Sequence, residues 1–169
     1  AVFPEMALTT FFPRWMIEDV KEVAGFFEAS MPGPHTQRLY QAAAKLGIGF
    51  ALGYSELVRE DGRVRRFNTM DLVGRDGAFI GRYRKMHLPG SDEPLGGTTV
   101  HLERLYFEPG NLGFPVFDFG GVRVGMALCN DRRWPETYRM LCLHGAEVVL
   151  IGYNTPVVLT EAPALAHLR

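Results

Sequence analysis

Cysteine is scarce. The chain carries two in 169 residues, Cys129 and Cys142. That is too few for a disulfide scaffold and fits a reducing compartment, so a cytoplasmic location is expected. Net charge is scarce too. Eighteen Lys and Arg against 19 Asp and Glu leave −1, so neither nucleic acid nor an anionic membrane is expected as a partner. No apolar run approaches the ~20 residues of a membrane helix. Repeats, low-complexity segments and linkers are missing. The histidines and cysteines match no zinc spacing such as H-x-x-x-H or paired C-x-x-C, so no metal is expected. An initiator methionine and a signal-peptide pattern are also lacking. Ala1-Val2-Phe3 looks like the end of a strand already under way, and Ala162–Arg169 like an interrupted helix. The expectation is one partial domain over 1–169, excerpted from a longer protein.

What is present suits a globular α/β chain, with 47% hydrophobic and 22% charged residues and a length sufficient for a substantial core. Met6–Trp15 reads as a packed loop. Glu18–Phe27 has helical spacing through Ile17, Val20, Val23, Phe26 and Phe27. After the break at Met31-Pro32-Gly33-Pro34, a helix is predicted from Pro34 to Lys45. Its apolar face would be Leu39, Ala42, Ala43 and Leu46, and Gly47 would close it. Strands are predicted over Ile48–Leu57, Arg65–Val73 and Ala78–Tyr83. Turns at Asp61-Gly62 and Asp76-Gly77 would join them into a meander. Arg84–His101 is a long irregular stretch, the kind that is more often functional than incidental. Val116–Phe119 and Val122–Leu128 read as strands, Pro135–Leu143 as a helix and Val148–Ile151 as a buried strand. The last three form a βαβ unit.

That unit is built around Cys129. An apolar strand ends at Leu128, Cys129 follows, and then come Asn130, Asp131, Arg132 and Arg133 before the helix opens at Pro135. A thiol at the carboxyl edge of a sheet, near helix amides and arginines, is a candidate nucleophile. The plain alternative is a buried cysteine acting as a small hydrophobe. Glu5 and Lys85 also end strands or near-strands, and sites in open α/β sheets gather beyond those ends. A carboxylate can take a thiol proton, and an ammonium can stabilise an oxyanion. Taken singly, Glu5 could be a surface carboxylate, and Lys85 could lie on a solvated basic face with Arg82 and Arg84. Cys142, mid-helix, reads as a structural thiol.

These residues sit in longer motifs. Phe3-Pro4-Glu5, Tyr83-Arg84-Lys85-Met86-His87-Leu88 and Cys129-Asn130-Asp131-Arg132-Arg133-Trp134-Pro135-Glu136 resemble the glutamate, lysine and cysteine motifs of the nitrilase superfamily of carbon–nitrogen hydrolases. The arginine pair after the cysteine is similar to one branch, the N-carbamoyl-D-amino acid amidohydrolases. So are Leu8–Trp15, Arg66–Thr69, Tyr106–Gly110 and Gly152–Pro156. Ser91–Val100 and Val157–Arg169 do not follow that branch.

The resemblance implies an αββα sandwich, incomplete here at both ends, and a homo-oligomer when full length. It implies no cofactor. Glu5 would be the general base, Lys85 the oxyanion stabiliser, Cys129 the nucleophile and Glu103 the carboxylate that orients the lysine. His87 and His101 would line the site, and Asn130 would supply the amide after the nucleophile. Arg132 and Arg133 would bind a substrate carboxylate, and Asn154 and Thr155 would lie on the substrate side. The guanidinium pair agrees with an anionic N-carbamoyl amino acid, because Arg makes bidentate bonds to carboxylate. Three other readings of the same residues are another amidase of the same superfamily, a non-catalytic truncated relative or assembly module with an exposed apolar face, and a redox or metal-binding thiol protein.

Overall fold

A computed structural model describes residues 1–93 and 101–154. The expected substrate-side residue Thr155, the interrupted helix at 162–169 and residues 94–100 of the loop before His101 lie outside these.

The meander forms as predicted, with the first two strands longer: β1 Phe50–Glu60, β2 Arg63–Val73 and β3 Phe79–Arg84, antiparallel in the order β1-β2-β3. Asp61 and Gly62 both take positive φ, 51° and 74°, as a two-residue hairpin turn requires. A second sheet contains β4 Val116–Asp118, β5 Arg123–Leu128 and β6 Val148–Gly152. Here β4 pairs antiparallel with β5, and β5 pairs parallel with β6. The crossover between β5 and β6 is the helix α4, Pro135–Leu143. The expected βαβ unit is therefore present.

The two sheets pack face to face. Ala51, Met70, Leu72 and Tyr83 of the first meet Val124, Met126 and Leu128 of the second. These positions alternate along their strands because successive side chains point to opposite faces. Each large apolar side chain so buried contributes roughly 1.5–3 kcal/mol. Leu141 of α4 packs against the outer face of the second sheet at Gly125. On the outer face of the first sheet, Tyr40 and Ala43 pack with Phe50, Leu52 and Val73. They belong to the helix α2, Gln37–Leu46, which ends at Gly47 in the left-handed region. The layers thus run α-β-β-α, as expected.

Several local expectations change. The first helix is short, Val20–Ala24 (α1). Leu46 is exposed, and Tyr40 occupies the buried face of α2 in its place. A short helix, Glu103–Tyr106 (α3), appears within a stretch that shows no helical period. A 3-10 turn at Phe12–Arg14 lies in the predicted packed loop. Together with α1 and α3, this loop buries a third core that includes Met6, Phe12, Leu102 and Phe107. Cys142 is exposed rather than structural, because α4 turns only Thr137 and Leu141 fully inward.

The basic run 82–85 is also not a solvated face. Strand alternation splits it. Arg82 and Arg84 point to the outer face. There Arg82 bonds Asp71 at 2.7 Å and Glu56 at 2.6 Å, and Arg84 bonds Glu56 at 2.7 Å. Lys85 points inward.

Candidate active site

Glu5 is delivered by a segment that runs along β1. The amide of Phe3 bonds the carbonyl of Ala51 at 2.8 Å, and that of Ala7 bonds the carbonyl of Gly53 at 2.9 Å. Gly53 permits this approach, since a Cβ there would stand 2.9 Å from the Cα of Glu5. Lys85 follows β3 directly, and its amide bonds the carbonyl of Asn68 at 2.8 Å. Glu103 opens α3. The three side chains meet in the interior, each fully buried. Lys85 Nζ lies 2.6 Å from Glu5 Oε1 and 2.7 Å from Glu103 Oε2. The possibility of a surface carboxylate at Glu5 is thereby removed.

Asn68 completes the cluster. Its Nδ2 donates to Glu5 Oε1 at 2.8 Å and to Glu103 Oε2 at 3.3 Å. It was not among the expected site residues. The usable signal was an amide in mid-strand, on the same inward face as Met70 and Leu72, where asparagine is disfavoured.

The electrostatics follow from burial. Desolvation opposes the charge on Lys85, but the carboxylates of Glu5 and Glu103 and the Cys129 thiol group outweigh it, and the pKa of Lys85 rises. Lys85 is a firm cation that lies within electrostatic reach of Cys129. Desolvation pushes Glu103 up to about 7; Lys85 opposes this, and the charge on Glu5 adds to it. Among the described residues, Glu5 Oε2, Glu103 Oε1, Asn68 Oδ1 and His101 Nδ1 are buried without a hydrogen-bond partner. Buried polar atoms are nearly always paired. Four exceptions in and around one cluster mark a polar site built to receive a ligand.

Cys129 opens a 3-10 turn, Cys129–Arg133, directly after β5. It is half-buried, with φ at 42°. Arg132 is buried; its Nη1 donates to the Cys129 carbonyl at 2.6 Å and reaches the sulfur at 3.6 Å. Its guanidinium also lies over the Tyr153 ring. The two arginines therefore differ: Arg132 touches the cysteine itself, while Arg133 is exposed. His101 packs edge-on against Phe11. Burial lowers its pKa, and the charges of Arg14, Lys85 and Arg133 act in the same direction. Arg14, absent from the expected set, thus shares the surroundings of His101 with Arg133. It ends the 3-10 turn tied to this region by the Leu102 amide on the Pro13 carbonyl, 2.8 Å.

His87 bonds Asp131 through its ring at 2.8 Å and stacks on Trp134 at 5.0 Å. The side-chain amide of Asn130 donates to the His87 carbonyl at 3.0 Å. A cavity of about 440 Å³ is lined in part by His87, Asn130, Trp134 and Arg104. Asn154 is exposed at the end of β6. Among the described residues, no group of three or more His, Cys, Asp or Glu is arranged to hold a metal ion.

The shifted carboxyl of Glu103 gives a stability prediction. A folded pKa above the unfolded value of 4.5 means that the folded state holds the proton more tightly. This contribution is fully present below pH 4.5 and is lost as pH rises through about 7. Glu103→Gln imitates the protonated form. Urea unfolding at pH 5 and pH 7 is expected to show a smaller loss of stability between the two in the variant than in the wild type. Equal losses would contradict the shift.

Known proteins support the same grouping. The sequence profile described as carbon-nitrogen hydrolase matches residues 1–168. A nitrilase of Pyrococcus abyssi is 34% identical over 168 residues, which are 99% of this chain and 56% of the relative. An N-carbamoylputrescine amidase of Arabidopsis thaliana is 32% identical over 127 residues, 73% of this chain and 39% of that protein. The carbon-nitrogen hydrolase structure from Helicobacter pylori G27 superposes with a TM-score of 0.74 at 23% identity, over 93% of this chain and 48% of its own, and so shares the fold. The chain spans about half the length of these relatives. With a family profile that runs from the glutamate through the lysine to the cysteine and beyond, the chain belongs to the carbon-nitrogen hydrolase family.

Proposed function

We propose that the protein hydrolyses the carbamoyl C–N bond of N-carbamoyl-D-amino acids, releasing the D-amino acid, ammonia and carbon dioxide. The observation that carries this reading is the fully buried Glu5–Lys85–Glu103 cluster in electrostatic contact with Cys129. Its inner carboxylate oxygens hold the lysine, and the other oxygens have no partner among the described residues.

Glu5 Oε2 takes the thiol proton of Cys129, and the thiolate attacks the carbamoyl carbon. Lys85 Nζ and the backbone amide of Asn130 stabilise the oxyanion in a site where water is sparse. The C–N bond breaks, and the amine of the amino acid leaves with the proton held by Glu5. A carbamoylated thiol remains. Water, deprotonated by Glu5, attacks it and regenerates the thiol. The carbamic acid released falls to ammonia and carbon dioxide. Glu103 holds Lys85 in place throughout.

The carbamoyl group is supported by the relative named for N-carbamoylputrescine. The amino-acid carboxylate is supported by the arginines. Arg132 is drawn onto the nucleophile turn, so Arg133 and Arg14, whose charges both act on His101, are the pair available to an anion. Full-length protein given N-carbamoyl-D-phenylglycine is expected to release ammonia and D-phenylglycine. Turnover of a simple nitrile, with none of the carbamoyl compound, would overturn the substrate assignment. Arg133→Ala is expected to raise KM about 10- to 100-fold, the cost of one charge-assisted bond. The matching N-carbamoyl amino amide, which lacks the carboxylate, should lose far less. An equal effect on both substrates would contradict the role of Arg133.

A further inference from the structure

Cys129 is a non-glycine residue held at positive φ, 42°. That conformation is disfavoured and persists only where the surroundings enforce it. One side chain outside the chemistry above is placed to do so. Asp131 is fully buried. Its Oδ2 accepts the backbone N–H of Leu128 at 3.1 Å and the Tyr83 hydroxyl at 2.8 Å. Its Oδ1 accepts the backbone N–H of His87 at 2.9 Å and lies 2.8 Å from the His87 ring. Leu128 immediately precedes the cysteine. Tyr83 and His87 stand two residues before and two after Lys85. A single carboxylate therefore clasps the two segments that carry the thiol and the ammonium. The side chain of Asn130, on the His87 carbonyl, adds a second tie between them.

We propose that Asp131 is a positioning residue, which holds the backbone of Cys129 in its left-handed conformation and sets the thiol against Lys85. This rests on the reading of Cys129 as the nucleophile. The chemistry requires a carboxylate rather than an amide. The two backbone N–H groups fall on different oxygens, and both are donors. An asparagine has one accepting oxygen, so its NH2 would face one of those N–H groups donor to donor. The His87 ring can adapt by changing tautomer, but a backbone amide cannot.

The test is Asp131→Asn in the full protein, with two readouts. Alkylation of Cys129 by iodoacetamide is followed across pH by peptide mass spectrometry, which separates it from the exposed Cys142. Steady-state kinetics are normalised to folded protein. The expected result is a fall in kcat of about 100-fold, the scale of a small misplacement of reacting groups, with KM changed far less. The alkylation profile should also shift to higher pH, because the thiolate is no longer held against the lysine. A purely structural role would lower the melting temperature and leave both readouts unchanged per folded molecule, and that result would overturn the proposal.

The same substitution made together with Cys129→Gly covers a failure to fold, since glycine takes positive φ without cost. If Asp131→Asn folds in the Cys129→Gly background but not when Cys129 is present, enforcement of the cysteine backbone is supported. Failure in both backgrounds would make Asp131 a requirement of the fold alone and overturn the proposal. If wild-type Cys129 is alkylated no faster than Cys142 and nothing is turned over, the nucleophile reading itself fails and takes this proposal with it.

Discussion

Cys129→Ala is expected to lower kcat by at least about four orders of magnitude, the scale on which removing a covalent nucleophile acts elsewhere. Binding should survive, because the arginines, the histidines and the Lys85 cluster are untouched. Stability should change little. Cys129 is half-buried, and the Asp131 carboxylate holds the backbone of its turn. Turnover by the purified variant is measured beside its affinity for substrate by calorimetry. A variant that keeps wild-type turnover would exclude the thiol mechanism. One that loses binding and fold together would make the cysteine structural.

Lys85→Met is expected to be the most damaging substitution for stability as well as for activity. Lys85 is the cation between two buried carboxylates, Glu5 and Glu103, and all three side chains are at 0% exposure. Methionine fills a similar volume but leaves both acids without a countercharge. Removing one partner of a buried ion pair costs about 3–5 kcal/mol. For a chain of this size, that corresponds to a fall in melting temperature of roughly 6–20 °C. Activity should fall with it, because the oxyanion loses its ammonium. The sign of the pH effect is fixed by charge. Acids without a countercharge are easier to accommodate when protonated, so part of the lost stability should return on lowering the pH. Calorimetric scans at pH 5 and pH 8 would show this. A melting temperature unchanged at either pH would contradict the burial and pairing of the cluster.

Glu5, Lys85 and Cys129 stand out as candidates in the sequence because each ends an apolar strand or near-strand, and strand ends are where an α/β sheet places its chemistry. The meander and the βαβ unit were legible for a similar reason. Asp61-Gly62 and Asp76-Gly77 punctuate the meander, and Pro135 opens α4 between two apolar strands. What the pattern hid depends on partners distant in sequence. Arg82 and Arg84 look like a solvated run until Glu56 and Asp71 are brought across the sheet to meet them. Asp131 looks like one more polar turn residue. Its role depends on Tyr83 and His87, 48 and 44 residues away. Asn68 is locally odd only as an amide in mid-strand; the two acids it bridges lie 63 and 35 residues away in the chain. The resemblance gives the arginine pair a single role, on the substrate carboxylate. In the 3-10 turn, neighbouring side chains diverge, so Arg132 reaches the cysteine and Arg133 reaches solvent.

The central claim is that Cys129 becomes covalently carbamoylated. The most direct measurement is acid quenching of the full-length protein during its first turnovers of N-carbamoyl-D-phenylglycine, followed by peptide mass spectrometry. The account predicts a mass increase of one carbamoyl group on the peptide that contains Cys129, with none on the peptide that contains Cys142. Product formation with the Cys129 peptide unmodified throughout, or with the group on Cys142, would contradict it.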